Sequence, residues 1–286
     1  MRVVFIGGGN MGRALAGGMI AQGRVPSTID VVEISPEARE RMQRDLGVRT
    51  FADPTSAGLE DAAVIVIAVK PQSMRETARA LAPKLSTPLI ISSALATQLS
   101  TPLIISIAAG IRLDDLSRWL NGYQRLVRAM PNTPALIRKG ITGLYAHPSV
   151  TDQARAAAQE ILGAVGDTIW CDREEQIDAI TAVSGSGPAY VFYFLEAMIA
   201  GAESLGLSSE DARRLAYATA SGAIKLAAQS SDSPSVLRAQ VTSKGGTTEA
   251  ALAILEAREV KAALIDAIAE ADARARELGR LLGSDG

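Results

Sequence analysis

Short apolar runs alternate with segments of helical periodicity through about the first 170 residues of the chain. Residues 63–68 are continuously apolar, which is typical of a strand at the centre of a parallel sheet with both faces covered. Strands are predicted at 2–6, 29–32, 48–51, 63–68, 103–106, 126–130, 143–146 and 168–170. Helices are predicted near 11–20, 36–46, 72–85, 113–120 and 151–162. The alternation predicts a Rossmann-like, doubly wound α/β sheet, whose ligands lie beyond the carboxyl ends of its strands.

Only helical patterns follow in the last part of the chain. Helices are predicted at 174–183, 188–205, 208–229, 247–255 and 258–281. Many of their faces are small and apolar, and five helices without a sheet bury a limited core of their own. The pattern therefore predicts an α/β domain over 1–171 and an all-α domain over 172–286 that a second copy of the chain covers.

Composition and charge exclude several classes of protein. The chain has 286 residues, is 48% hydrophobic and carries a net charge of −2, with 29 basic and 31 acidic residues. These charges are interspersed, so neither a nucleic acid nor a membrane is an expected partner. The single cysteine, Cys171, excludes an internal disulfide and is expected in the core. The single histidine, His147, excludes a histidine-rich metal site and an ordinary Ser-His-Asp triad, and it is expected in a surface turn; no metal is predicted.

One uncharged segment, residues 85–111, is long enough to cross a bilayer. Pro88, Pro102 and many hydroxyl residues interrupt it, so a buried strand and a loop are the expected structure. No signal peptide is expected, because only residues 3–6 separate the N-terminus from a glycine-rich turn. The protein is therefore predicted to be cytoplasmic.

That glycine-rich turn has the spacing of a dinucleotide site. Gly7, Gly9 and Gly12 lie between a predicted strand and a predicted helix. In such a site the first glycine permits the tight turn, the second admits the pyrophosphate, and the third allows close packing of the helix on the strand. The second strand ends at Glu33, about 20 residues after Gly12, where a ribose-binding carboxylate is expected. We therefore predict that 1–171 binds a dinucleotide.

Other segments that follow predicted strand ends are expected to line the same crevice. They are 68–71 (AVKP), 108–110 (AAG) and 130–133 (MPNT), the last of which could form only a turn. At Lys70 the backbone turn is expected to contribute more to the cofactor site than the side-chain ammonium group. The predicted cofactor-binding residues are Gly7, Gly9, Asn10, Met11, Gly12, Glu33, Ser35, Ala68, Val69, Lys70, Pro71, Ala108, Ala109 and Gly110.

Two segments rich in glycine and hydroxyl residues interrupt the helical half, 184–190 (SGSGPAY) and 241–249 (VTSKGGTTE). The second segment contains two adjacent glycines, which cost about 1 kcal/mol each inside a helix and therefore indicate a break. At the second break, backbone N–H groups at the start of the next helix would suit an anion. The first break lets helices and a cofactor approach closely, or it only ends a helix ahead of Pro188.

In this order, the motifs resemble those of Δ1-pyrroline-5-carboxylate reductase over nearly the whole chain. They are 7–12 (GGGNMG), 68–71, 106–110 (SIAAG), 130–134 (MPNTP), 184–190 and 241–248. The resemblance implies NAD(P)H-dependent reduction of a small cyclic imine to L-proline, the last step of proline biosynthesis. It also implies that the C-terminal helices interleave with a partner's in a homo-oligomer, a dimer at least, with larger assemblies such as a decamer allowed.

The resemblance also implies roles for residues of the second break. The backbone N–H groups of Gly246, Thr247 and Thr248, with the Ser243 hydroxyl, would hold the substrate carboxylate, and Gly245 belongs to the same loop. The Thr248 hydroxyl would contact the imine nitrogen, which makes Thr248 the predicted catalytic residue. Alternatively, these hydroxyls only cap the helix that starts at Thr247. Lys244, in the same loop, could attract the carboxylate or be a solvated lysine.

Two other functions are compatible with parts of the sequence. A β-hydroxyacid dehydrogenase or another Rossmann-type imine reductase would share the first motif, but it would usually carry a catalytic lysine in the first long C-terminal helix. No lysine occurs between Lys139 and Lys225. A dinucleotide-sensing or scaffold protein would not need the hydroxyl and N–H groups of 243–248.

The sequence leaves the choice between NADPH and NADH open. Glu33 can accept hydrogen bonds from ribose hydroxyls and would repel a 2′-phosphate, which favours NADH. Ser35 and Arg39 could instead serve a phosphate, as the resemblance suggests. We expect both cofactors to be accepted.

An eight-residue sequence, LSTPLIIS, occurs at 85–92 and again at 99–106. One position in the sheet cannot hold both copies. The second copy leads directly into the 106–110 motif, so it is predicted to form the strand, and 86–99 is predicted to be an insertion.

Overall fold

A computed structural model describes residues 1–85 and 101–284 of the chain. It contains an eight-stranded sheet in the order β3-β2-β1-β4-β5-β6-β7-β8. The strands are β1 Val3–Ile6, β2 Ile29–Val32, β3 Arg49–Phe51, β4 Val64–Ile67, β5 Leu103–Ser106, β6 Leu126–Met130, β7 Gly140–Ala146 and β8 Gly166–Trp170. All neighbouring strands are parallel except β6 and β7, which are antiparallel. The predicted fold class is confirmed, although the reversed direction of β7 was not predicted.

Within the described residues six α-helices accompany the sheet, and they agree with the predicted segments to within a few residues. They are α1 Asn10–Ala21, α2 Pro36–Leu46, α3 Pro71–Leu85, α4 Leu113–Trp119, α5 Asp152–Gly163 and α6 Gln176–Ile180. The start of α2 follows the local chemistry, because the Ser35 hydroxyl accepts a hydrogen bond from the Ala38 N–H and Pro36 is the first helical residue.

Five further α-helices follow in the part of the chain that the structure describes. They are α7 Gly187–Ser204, α8 Ser209–Gln229, α9 Pro234–Gln240, α10 Thr247–Ala257 and α11 Val260–Gly283. Helix α9 was not predicted, because it has seven residues, capped by Ser233, and spans only two turns. The predicted helix at 174–183 is divided: α6 ends at Ile180 and a π-helical turn, Thr181–Gly185, follows it.

The hydrophobic core lies on both faces of the sheet. One layer contains Val3, Phe5 and Leu15, and the opposite layer contains Ile65, Ile67 and Met74, all at most 1% exposed. This burial on both faces explains why the central strands are apolar at every position. It also fixes the carboxyl ends of β1, β2, β4 and β5 side by side.

The chain divides into two compact units, Met1–Gly185 with Ala271–Gly286, and Ser186–Glu270. This division differs from the predicted one after residue 171. The segment that contains α6 stays with the sheet because Arg128 of β6 forms ion pairs with Glu174 and Asp178. The end of α11 also belongs to the first unit, where Leu282 packs against the core.

The last four residues of the second copy form β5, as predicted, and this strand pairs with β4 on one side and β6 on the other. The first copy lies outside the described residues, except for Leu85, the last residue of α3. β5 itself is buried, in agreement with the strand expected within 85–111. Among the residues that the structure describes, no helix is long and apolar enough to span a membrane.

Candidate functional site

The glycine-rich turn joins β1 to α1 in a shape that requires glycine. Gly7 has a φ of +108°, and a Cβ at this residue would lie 2.6 Å from the Ala68 carbonyl oxygen. A Cβ at Gly12 would collide with the Gly7 carbonyl oxygen. At Gly9, the N-cap of α1, a Cβ would meet no atom within 4 Å, so this residue faces open space. The turn thus leaves room for a ligand at the N-terminus of a 12-residue helix.

Glu33 lies beside this turn, immediately after β2. Its Oε2 atom accepts a hydrogen bond of 2.8 Å from the Gly8 N–H, and its Oε1 atom accepts one of 2.9 Å from the Ser35 N–H. Both carboxylate oxygens are therefore held by backbone amides. The Gly8 bond connects the predicted ribose-binding residue directly to the predicted pyrophosphate-binding turn.

Ile34, the residue after Glu33, was not singled out from the sequence. Its side chain is 85% exposed, although it is a large apolar residue. An exposed apolar side chain at the end of β2 suits the adenine ring of a dinucleotide. The available sequence signal was an isoleucine between Glu33, the first residue after β2, and the N-cap Ser35.

The structure brings the other predicted cofactor segments to the same edge of the sheet. In the strand register, Ile6 is paired with both Val32 and Ile67, and Ile67 is paired with Ser106. Because the four strands are parallel, the residues that follow them share one edge. These are the glycine turn with Asn10 and Met11, then Glu33 and Ser35, then 68–71, and finally 108–110. Lys70 is exposed there, and Pro71 begins α3.

The 130–133 motif does more than form a turn. The Asn132 side chain donates a hydrogen bond of 3.2 Å to the Ser184 carbonyl oxygen and accepts one of 3.0 Å from the Ile141 N–H. Asn132 thereby connects two of the motifs, 130–133 and the start of 184–190. The helix break expected ahead of Pro188 is present, since the π-helical turn ends at Gly185 and α7 begins at Gly187.

The 243–248 loop lies at the start of α10, in the second compact unit. The N-cap of α10 is Gly246, and no side chain caps this helix. The alternative that Ser243 or Thr248 serves as its cap is therefore not supported. Gly246 donates its N–H to the Ser243 carbonyl oxygen at 3.0 Å, while the Gly245 N–H donates to Glu249 Oε2 at 2.6 Å.

Exposure differs among the residues of this loop. Ser243, Lys244 and Thr247 are exposed, whereas Thr248 is half-buried. An exposed Lys244 agrees with a solvated lysine. The loop therefore presents backbone and hydroxyl groups of a helix start, and Gly245 contributes its N–H to Glu249 in this arrangement.

The single cysteine and the single histidine lie where they were expected. Cys171 is buried at the end of β8, and burial raises the pKa of its thiol. His147 lies in a turn, where its Nδ1 atom is 2.8 Å from the Ser149 hydroxyl. Neither residue belongs to the edge of the sheet that carries the glycine turn.

A doubly wound sheet, a glycine turn at a helix N-terminus and an adjacent carboxylate define a Rossmann-type dinucleotide-binding protein. Comparisons with known proteins assign it more narrowly. The family model for pyrroline-5-carboxylate reductase dimerisation matches residues 174–278, and the model for NADP oxidoreductase, coenzyme F420-dependent, matches residues 2–96. The pyrroline-5-carboxylate reductase of Pseudomonas aeruginosa is 42% identical over 282 residues, which are 99% of this chain and 98% of that relative. The chain belongs to the pyrroline-5-carboxylate reductase family.

Solved structures agree with this assignment. A pyrroline-5-carboxylate reductase from Coxiella burnetii is 39% identical, with a TM-score of 0.87, and the match covers 97% of this chain and 98% of the other. The pyrroline carboxylate reductase of Plasmodium falciparum, whose structure has NADP bound, is 25% identical with a TM-score of 0.83, over 98% of each chain. Both likenesses extend over the sheet and the C-terminal helices.

Proposed function

We propose that this protein reduces the C=N bond of L-1-pyrroline-5-carboxylate with NADPH or NADH and forms L-proline, the last step of proline biosynthesis. The observation that carries the proposal is a glycine turn linked to Glu33 in a chain that is 42% identical, over 99% of its length, to a pyrroline-5-carboxylate reductase. The second compact unit contributes a helix start rich in hydroxyl and N–H groups.

The first compact unit fits a dinucleotide. The open space at Gly9 would admit the pyrophosphate, Glu33 would accept hydrogen bonds from the ribose hydroxyls, and Ile34 would offer an apolar surface to the adenine. The backbone of 68–71 and 108–110 would line the nicotinamide side. The bound cofactor supplies the hydride.

The 243–248 loop would bind the substrate. The backbone N–H groups of Gly246, Thr247 and Thr248, together with the Ser243 hydroxyl, would hold its carboxylate, as expected for an anion at a helix N-terminus. Gly245 would shape this loop. The Thr248 hydroxyl would contact the ring nitrogen. Because a protonated imine is already electrophilic, the reaction needs the substrate to be oriented and does not need a nucleophile or a metal from the protein.

A homo-oligomer follows from the helices of the second unit. No residue of α7 is buried within a single chain, although the helix carries Val191, Phe192 and Phe194 on its surface. Apolar surface of this extent requires a partner. Residues 174–278 match the family's dimerisation model, so the partner is a second copy, in a dimer or a larger assembly such as a decamer. In this proposal 1–171 binds the dinucleotide and 172–286 serves dimerisation and substrate binding in the cytoplasm.

Turnover distinguishes this function from the alternatives. The purified protein is mixed with pyrroline-5-carboxylate and NADPH or NADH, and loss of the reduced nicotinamide is followed by absorbance. L-proline must form in equal amount to the cofactor oxidised. Oxidation of β-hydroxyacids, reduction only of other imines, or dinucleotide binding without turnover would each contradict the proposal and indicate one of the alternatives.

A further inference from the structure

We infer that Glu33 makes this chain select NADH over NADPH. The inference rests on the proposed function only in taking a nicotinamide dinucleotide as the cofactor. It departs from the NADP named for the matching family model and for the Plasmodium structure. The two dinucleotides differ by one phosphate on the adenosine ribose, so selection depends on the groups that face this ribose.

The Glu33 carboxylate is held at the ribose position by two backbone hydrogen bonds, 2.8 Å from the Gly8 N–H and 2.9 Å from the Ser35 N–H. These hydrogen bonds fix the carboxylate beside the glycine turn. A Cβ on Gly8 would lie 3.2–3.3 Å from the Glu33 side chain, which shows how closely the carboxylate packs on this turn. A 2′-phosphate would therefore have to approach a fixed negative charge.

Ser35 and Arg39 are the two residues that could have served a phosphate. The Ser35 hydroxyl and the Nη1 group of Arg39 already have other partners. Ser35 accepts a hydrogen bond from the Ala38 N–H as the N-cap of α2 and donates its hydroxyl to Glu37 Oε2 at 2.6 Å. Glu37 thus places a second carboxylate beside Ser35. Arg39 donates from Nη1 to the carbonyl oxygens of Glu33 at 2.7 Å and Ile34 at 3.0 Å. Its guanidinium supports the backbone of the turn after β2.

The apolar side chain of Ile34 does not distinguish the two cofactors, because both carry the same adenine. The pyrophosphate and its site at the glycine turn are also the same. Consequently the ratio of the two dissociation constants isolates the 2′-phosphate, and this ratio is the quantity to measure.

The test is a binding titration of the full-length protein with NADH and with NADPH, without substrate, followed by the fluorescence of the bound nicotinamide. We expect NADH to bind at least about tenfold more tightly, the size of one hydrogen bond to a charged group. Glu33→Gln should reduce this ratio about tenfold. Glu40→Gln, the same change of charge at an exposed position of α2, should leave it unchanged.

Arg39→Gln distinguishes the two roles of the arginine. If Arg39 supports only the backbone, the variant should bind NADH and NADPH in the same ratio as the natural protein. A loss of affinity confined to NADPH would show that Arg39 binds the phosphate, and it would overturn the inference.

A salt titration provides a measurement that needs no variant, should Glu33→Gln fail to fold. Salt screens repulsion as well as attraction, so the sign of its effect identifies the interaction. If Glu33 repels the 2′-phosphate, the ratio of the two dissociation constants should approach one as the salt concentration increases. If cationic side chains attract the phosphate, NADPH should instead lose affinity relative to NADH. Equal affinities for NADH and NADPH at low salt would contradict the proposed selectivity but not the proposed function. If the protein bound neither dinucleotide, the proposed function would itself be contradicted.

Discussion

Arg128 Nη2 lies 2.6 Å from Asp178 Oδ1, and both residues are at most 2% exposed. This buried ion pair joins the middle of β6 to α6, across 50 positions of the sequence. Glu174 adds a second contact, 3.2 Å from Arg128 Nη1, and also accepts the Leu113 N–H at 2.8 Å. The segment after β8 therefore belongs to the sheet unit because its two acids neutralise a buried arginine.

Asp178→Ala should destabilise the protein by about 3 kcal/mol, the lower end of the range for breaking a buried pair, because Glu174 remains with Arg128. Unfolding in urea, followed for the compact unit that contains the sheet, measures this loss of stability. Asp172→Ala, an exposed acid on the same segment, is the control and should change stability by less than about 0.5 kcal/mol. If the two substitutions changed stability equally, the buried ion pair would contribute no more to stability than an exposed acid does.

Gly9→Ala and Gly12→Ala should separate ligand binding from folding. A methyl group at Gly12 collides with the Gly7 carbonyl oxygen, so this variant should lose both stability and dinucleotide binding. A methyl group at Gly9 meets no protein atom within 4 Å. The melting temperature of Gly9→Ala should therefore stay close to that of the natural protein, while its affinity for the dinucleotide falls. Unaltered binding by a folded Gly9→Ala variant would be incompatible with pyrophosphate contact at this residue.

Thr248→Ala should fold normally and lose about 10- to 100-fold in kcat/KM, corresponding to one hydrogen bond of roughly 1.5–3 kcal/mol to a charged group. Thr247→Ala is the matched control, since Thr247 is assigned a role through its backbone N–H alone and should retain activity to within a few-fold. Steady-state kinetics with pyrroline-5-carboxylate compare the two variants. The assigned role of the Thr248 hydroxyl is wrong if Thr248→Ala has the kinetics of the natural protein.

Cys171 should react slowly with iodoacetamide in the folded protein. Burial, followed by the charge of Asp172, raises the pKa of its thiol, and the thiolate is the reacting form. Mass spectrometry of samples at several pH values between about 7 and 9 should show faster labelling after unfolding in urea at every pH. Since the folded state keeps this proton to higher pH than the unfolded state, the same group should lower stability as the pH rises through the ordinary thiol pKa. Rapid labelling of the native protein at neutral pH would contradict this environment.

Deletion of residues 86–99 should preserve activity and should preserve or increase stability. The deletion joins Leu85, at the end of α3, to Ser100, so that one complete copy of LSTPLIIS still leads into β5. Removing about 14 residues from a connection between two elements changes its closure entropy by little. Melting temperature and turnover are the measurements. An unfolded or inactive product would show that the first copy is an integral part of the domain.

Much of the fold follows from local patterns. The continuous apolar run around β4 and the N-cap and proline at the start of α2 identified those elements, because each pattern reflects contacts within a few residues. The glycine spacing located the dinucleotide turn for the same reason. The short α9 escaped detection since two turns contain too few positions to define a period.

Long-range contacts, by contrast, were accessible only from the tertiary structure. No local pattern shows that β7 runs antiparallel to β6, or that Arg128 takes its partners from α6. At the candidate site, the sequence by itself determined that a carboxylate, a serine and an arginine follow β2, and left NADPH and NADH both open. Tertiary structure decided how these groups are used, because hydrogen bonds to the backbone hold the carboxylate of Glu33 and the guanidinium of Arg39 in place. Such bonds depend on how the chain is arranged in space, which the spacing of residues along it does not specify.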